Sequence, residues 1–170
     1  MKSIEEQVHA LWKEVFGDSD CFIEQFMNRY YSRENLLFIE EGGTLRSMLH
    51  LVPFNCNGKI IGVVYALATA ASARSRGYAT QLLQRATETA TKRGYAAIAL
   101  IPAEEALFPY YRRQGFEGKY RVEFNLPDDF DFGLDDKENQ WLIIMPLTEK
   151  ALPSTDSHIT LTFTEGNYNT

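Results

Sequence analysis

Cysteine is scarce. Cys21 and Cys56 are the two in 170 residues, and they stand in no metal-binding spacing. That excludes a disulfide framework or a zinc module and predicts a reduced compartment with free thiols. Positive charge is in deficit too. With 17 Lys and Arg against 23 Asp and Glu, the formal net charge is -6, which argues against a general nucleic-acid binder and favours a cationic or amine substrate. No apolar run approaches membrane-spanning length. The opening MKSIEEQVHALWKEVF has acids and a tryptophan where a signal peptide needs a basic start and an apolar core, so the expectation is a soluble, cytoplasmic protein with no membrane partner. GxGxxG and GxxxxGK(S/T) are both missing, which removes the dinucleotide and P-loop readings. No internal repeat and no Pro/Gly/Ser-rich linker appears. The expected organisation is one domain over 1–150, with 151–170 as a polar C-terminal tail or an edge strand.

What is present is an ordinary globular composition, 45% hydrophobic and 24% charged, with clear periodicities. Ile4, Val8, Leu11, Trp12, Val15 and Phe16 recur at helical spacing, and GDSD stops that helix. Asp18 or Ser19 then caps a second helix, Cys21 to Tyr31, whose Phe22 and Phe26, with Trp12, are core or a wall of the substrate cleft. Leu36 to Glu40, Thr44 to Phe54 and Lys59 to Thr69 read as a three-strand antiparallel meander, turned at Gly42-Gly43 and at Asn57-Gly58. A helix from about Gly77 to Arg93 has Tyr78, Leu82, Leu83, Ala86 and Ala90 on one face, and the apolar run Ala96 to Ile101 follows as a buried parallel strand. A short helix, Glu104 to Arg113, ends before Gly115, and Val122 to Leu126 and Trp141 to Leu147 are two more strands. The acidic stretch Asp128 to Glu138 between them is solvated surface or an attractor for a cationic substrate. His158 to Phe163 is the candidate edge strand. The fold class is α/β (α+β), a mixed, mainly antiparallel sheet flanked by helices.

Between Tyr65 and Gln81 the chain reads YALATAASARSRGYATQ: a strand runs through small residues into Arg74, Arg76 and Gly77 and then into the helix. A helix start offers backbone N–H groups without intrahelical partners and a positive dipole end, which together hold a phosphate. Arg74 to Ala79 fit RxxGxA. Gly77 permits a positive φ or a close approach of main chain to a pyrophosphate, Ala79 keeps the first turn uncrowded, and the arginines add positive charge. On its own this pattern also describes a structural helix start with surface arginines. Its position after a strand, with a second motif FPYYRRQGF at Phe108 to Phe116, sets it apart.

Together the two motifs resemble the GNAT superfamily of acyl-CoA-dependent N-acetyltransferases, over about residues 35 to 147. LATAASARSRGYATQLL is similar to the family's acetyl-CoA-binding segment, and IPAEEALFPYYRRQGF to its fifth strand and following helix. The second stretch is also similar to the N-terminal domain of the subgroup that includes multi-acetylating aminoglycoside-modifying enzymes. Ala71 and Ala73 stand where the family often has a proline and an aromatic residue, and its usual asparagine is missing around Pro102 to Glu105. The resemblance implies a sheet in which one parallel strand pair splays apart to admit the pantetheine arm. By matching positions, Leu67, Ala68 and Thr69 offer main chain to pantetheine and thioester, while Arg74, Ser75, Arg76, Gly77, Tyr78, Ala79 and Thr80 hold the pyrophosphate.

The implied chemistry is direct attack of a primary amine on acetyl-CoA, with Tyr111 protonating the departing sulfur. A phenol with an ordinary pKa near 10 is a proton donor at neutral pH. Holding amine and thioester together supplies most of the acceleration. For the base that deprotonates the ammonium, Glu104 and Glu105 rank ahead of Glu40 and His50, because they lie just past the fifth strand and near Tyr111 along the chain. His50 sits in an alternating strand, where a structural histidine is the commoner case, and Cys56 has no His partner nearby in sequence. The partners implied are acetyl-CoA and an amine of a small molecule, peptide or protein, the protein being a monomer or homodimer. The alternative from another class is a non-catalytic acyl-CoA-binding sensor or interaction module.

Overall fold

The computed structural model describes residues 1–132, 140–148 and 158–164. Within it the chain gathers into two compact units, Met1–Val52 with Val64–Ala86, and Pro53–Val63 with Thr87–Thr170.

In the first unit, α1 (Ile4–Phe16) begins where the Ser3 hydroxyl accepts the Glu6 N–H at 3.1 Å, and it ends at Gly17, left-handed with φ 70°. Ser19, not Asp18, caps α2 (Asp20–Arg29), accepting the N–H of Phe22 at 3.1 Å. Asp18 instead takes the indole N–H of Trp12 at 2.8 Å. Val8, Leu11 and Trp12 of α1 and Ile23 and Phe26 of α2 are buried, the stripe that helical spacing requires. β1 (Leu36–Glu41) pairs antiparallel with β2 (Thr44–Cys56) in the register Leu36↔His50 to Glu41↔Thr44. Gly42 and Gly43, with φ of 57° and 79°, turn that hairpin, because the tight turn that matches strand twist requires positive φ at both centres. Asn57 and Gly58, at 53° and 83°, do the same between β2 and β3 (Lys59–Thr69).

The helix α3 (Tyr78–Lys92) carries the chain from β3 to β4 (Ala97–Leu100), which lies parallel to β3 through Ile61↔Ala97, Gly62↔Ile98 and Val63↔Ala99. All of β4 is buried, as expected for a parallel strand covered on both faces. The expected helix after it is a 3₁₀ turn, Glu105–Leu107, followed by α4 (Phe108–Gln114). β5 runs over Glu117–Asn125, earlier than its apolar residues suggest, since Glu117, Lys119, Arg121 and Glu123 alternate through its first half and mask the strand. β6 (Leu142–Pro146) lies between β4 and β5, antiparallel to both.

The sheet order is β1-β2-β3-β4-β6-β5-β7. The last strand, β7 (His158–Phe163), is not an edge. It is parallel to β5 from Arg121↔His158 to Asn125↔Thr162, and antiparallel to the end of β2 at Phe54↔Phe163 and Asn55↔Thr162. The pairings of the second unit thereby run in a closed circuit. Its core is aromatic: Phe54 contacts Phe124, Phe132 and Phe163 at centroid distances of 5.3, 5.8 and 6.0 Å. The acidic stretch from Asp128 lies partly outside the described residues.

Candidate active site

The segment joining β3 to α3 is held by contacts that come from far along the chain. The Ala70 N–H donates to the Arg46 carbonyl of β2 at 2.8 Å, and the Ala68 carbonyl accepts the Ser47 hydroxyl at 3.1 Å. Residues 68 and 70 therefore face β2. In a strand the peptide groups of intervening residues point the other way, so those of Leu67 and Thr69 are turned away from β2 while that of Ala68 is turned toward it. One residue earlier, Ala66 is left-handed at φ 51° inside the strand. That conformation disfavours an L-residue by roughly 1–2 kcal/mol and collects at functional sites.

Past the strand, Ala71–Ala73 form a 3₁₀ turn whose first N–H donates to the Glu14 carboxylate of α1 at 3.1 Å. Arg74 is extended, while Ser75 and Gly77 are left-handed at φ 64° and 77°. Left-handed residues curl a main chain so that successive N–H groups form an anion-binding concavity. The Gly77 carbonyl takes the first helical bond, from Gln81 N–H at 3.0 Å, so Gly77 is the cap and Tyr78, Ala79 and Thr80 form the first turn, at the positive end of the helix dipole. A Cβ at Gly77 meets nothing within 4 Å. Glycine is required there by backbone conformation, with no steric crowding involved.

The side chains of this segment are committed elsewhere. Arg76 lies 3.3 Å from a Glu41 carboxylate oxygen and donates to the Ser72 carbonyl at 3.3 Å. Arg46 pairs with the same carboxylate at 3.7 Å and donates to the Ser72 hydroxyl at 3.0 Å. Arg74 is exposed, and its charge is directed to solvent.

In the second unit, Tyr111 is buried in α4, edge-on to Tyr110 at 5.1 Å and to Phe116 at 5.8 Å. Burial, with Tyr110 beside it, pushes its phenol up to about 12, so it stays protonated through the neutral range. Gly115, at φ 109°, ends α4 and lets the Phe116 N–H return to the Tyr111 carbonyl at 3.1 Å. That is the physical content of the closing Gly-Phe pair. Glu104 and Glu105 are exposed in the turn that opens into α4. Glu40 is exposed on β1.

His50 is of a different kind. It is 1% exposed, both ring nitrogens are without hydrogen-bond partners, and Trp12, Phe26 and Tyr31 surround it at 5.6, 5.0 and 5.9 Å. Burial pushes its pKa down to about 3, so it is neutral but enclosed, a core residue. Cys56 is buried too, and burial raises its thiol, the opposite of what a nucleophile needs. Among the described residues no group of His, Cys, Asp or Glu is arranged to hold a metal, and no helix is long and apolar enough to cross a membrane. Ala66, Glu14, Glu41 and Ser47 are the residues that sequence reasoning passes over.

A family model described as an acetyltransferase (GNAT) domain matches residues 2–118, more than half of the chain, and the chain belongs to that family. A GNAT family N-acetyltransferase from Escherichia coli, solved in complex with CoA, is 18% identical with a TM-score of 0.66, covering 97% of this chain and 87% of that one. A GCN5-related N-acetyltransferase from Anabaena variabilis is 21% identical with a TM-score of 0.57, over 68% of this chain and 30% of that one. N-acetylglutamate synthase from Neisseria gonorrhoeae, complexed with coenzyme A and L-arginine, is 15% identical with a TM-score of 0.58, over 84% and 31%. The chain thus spans under a third of the latter two proteins. At these identities the likeness is one of fold, a single α/β GNAT-like fold with a mixed sheet. No curated protein matches the chain.

Proposed function

We propose that this protein is an N-acetyltransferase that moves the acetyl group of acetyl-CoA to the primary amine of a small molecule, peptide or protein. The observation that carries the reading is the left-handed Gly77 capping α3 at the end of β3, in a chain that belongs to the GNAT family. The fit to a pyrophosphate is good: a helix start, two left-handed residues and an exposed arginine are donors and charge of the right sign. Leu67 and Thr69 supply main chain to the pantetheine arm. The formal net charge of -6 favours a cationic or amine acceptor.

In the mechanism, the acceptor ammonium first gives a proton to Glu104 or Glu105, directly or through water. The neutral amine then attacks the thioester carbonyl, the new C–N bond forms, the C–S bond breaks, and Tyr111 gives its proton to the departing sulfur. The second proton of the attacking nitrogen passes to the phenolate, which restores Tyr111 and leaves a neutral amide. The test is CoA-thiol release from acetyl-CoA over an amine panel, with wild type and Tyr111→Phe. Amine-dependent release by wild type supports the enzyme. Saturable CoA binding without release on any amine supports the non-catalytic acyl-CoA module, and failure to bind CoA overturns both.

A further inference from the structure

We propose that His50 is an acid-sensitive latch, whose protonation releases α1 and α2 from the face of β2 and with them the turn after β3 that α1 holds. The cover over His50 comes from one continuous stretch of the first unit. Trp12 of α1, Phe26 of α2 and Tyr31 just after α2 close over the imidazole at centroid distances of 5.6, 5.0 and 5.9 Å. Tyr65 of β3 lies against the first two of these rings at 5.7 and 5.2 Å. His50 is 1% exposed and neither ring nitrogen has a hydrogen-bond partner. A leucine would fill this place without leaving two nitrogens unpaired, so the polar ring calls for a reason.

An imidazolium cannot remain in such a box, because it brings a charge and two N–H donors to walls that accept neither well. The ring faces attract a cation only weakly beside what it loses on leaving water. An exposed imidazole takes up its proton below about pH 6.5, whereas burial holds this one neutral down to about 3. The stability that His50 gives the closed form is therefore full above pH 6.5 and falls as pH drops toward 3. Within that window the opening equilibrium grows about tenfold per pH unit. The neighbouring groups do not reverse this. Tyr31, its phenol pushed up to about 12 by burial and by the Glu5 carboxylate that accepts its proton at 3.1 Å, is uncharged throughout. On α1 and α2, His9 and Lys13 both pair with Asp20 at 2.9 Å, and a charged His9 tightens that exposed pair, a small opposing effect. β1 brings Leu36 opposite His50, and β3 brings Tyr65.

β2 lies between β1 and β3 in the sheet, so lifting the helices wets the imidazole without breaking strand pairing. Two contacts go with α1: Gln7 accepts the Leu45 N–H at 2.8 Å, and Glu14 accepts the Ala71 N–H at 3.1 Å. Opening thereby frees the turn Ala71–Ala73 that leads to Gly77. A consequence for CoA rests on the reading above, whereas the latch does not.

Amide hydrogen exchange followed by NMR between pH 7 and pH 5, with rates divided by the intrinsic rate at each pH, tests this on wild type, His50→Leu and His50→Gln. Neither variant titrates at this position. In wild type the protection of α1 and α2 amides, and of Ala71, is expected to fall about twentyfold over that range, and in both variants by less than about threefold. The variants carry the same carboxylates and His9, so the difference isolates His50. Amides of β2 and β3 keep their protection. A pH dependence shared by all three proteins overturns the proposal, and so does an equal fall in the β2 and β3 amides, which means global unfolding. An Ala71 amide that does not follow α1 overturns the link to the turn. Should His50→Leu not fold, His50→Gln carries the comparison. Wild type that binds no CoA removes the function proposed above and leaves the exchange result standing.

Discussion

The segment from β3 into α3 and the segment through α4 are built by opposite means. In the first, the side chains are small or turned aside: Arg76 to Glu41 and Ser72, Thr69 to Ser47. The backbone is what is shaped, through left-handed Ala66, Ser75 and Gly77. In the second, helix geometry is ordinary and, in the proposed mechanism, one side-chain oxygen, that of Tyr111, carries the chemistry. The first segment is therefore sensitive to substitutions that alter conformation and tolerant of those that only remove charge. The second is sensitive to the loss of a single atom.

The largest expected effect lies in the second segment. Tyr111→Phe lowers kcat about a hundredfold, in the range of a lost general acid, with the CoA dissociation constant within twofold of wild type. Stopped-turnover and titration measurements on the same preparation check both halves. A pH profile sharpens the point. Because burial pushes the Tyr111 phenol up to about 12, the group is a donor throughout the neutral range, and its contribution is lost only as pH rises toward that value. A basic limb near pH 10 that disappears in Tyr111→Phe runs against the buried environment seen here.

Next comes Gly77→Val. With nothing within 4 Å of the added Cβ, the cost is conformational, roughly 1–2 kcal/mol for a left-handed L-residue and more for a β-branched one. It appears as CoA affinity reduced about tenfold. Smaller again is Ala66→Val, expected to lower stability by about 1 kcal/mol in denaturant unfolding, whereas Ala66→Gly is neutral or slightly stabilising because glycine adopts that φ without strain. Equal stability of the valine and glycine variants removes the case for a shaped strand.

How much of this was legible beforehand follows the same division. Periodicity and turn chemistry located α1, α3 and the hairpins at Gly42-Gly43 and Asn57-Gly58, because those signals are local. The RxxGxA and Tyr-Gly-Phe spacings marked both segments for the same reason. What shapes the first segment was not legible. An alanine in left-handed conformation has no compositional mark, and the contacts that support it join residues far apart: Glu14 to Ala71 across 57 positions, Ser47 to Thr69 across 22. β5 was half missed because its charged alternation hides the apolar one. For β7, a polar tail and an edge strand are the readings the residues allow, because pairing on two sides is a property of topology that no run of residues declares.

The smallest effect is the most exacting test of the comparison. Arg76 belongs to the motif, carries the right charge and sits next to Gly77, so by composition it is the obvious phosphate ligand. Its guanidinium is instead shared between Glu41 and the Ser72 carbonyl, half-exposed, and an exposed pair of this kind contributes little. Arg76→Ala is therefore expected to weaken CoA less than threefold at physiological ionic strength, with a slightly larger loss at low salt, where exposed charges are less screened. Titration of Arg76→Ala beside Gly77→Val decides the matter. Equal losses mean that the arginine leaves Glu41 for the phosphates and that the side chains of this loop matter as much as its backbone.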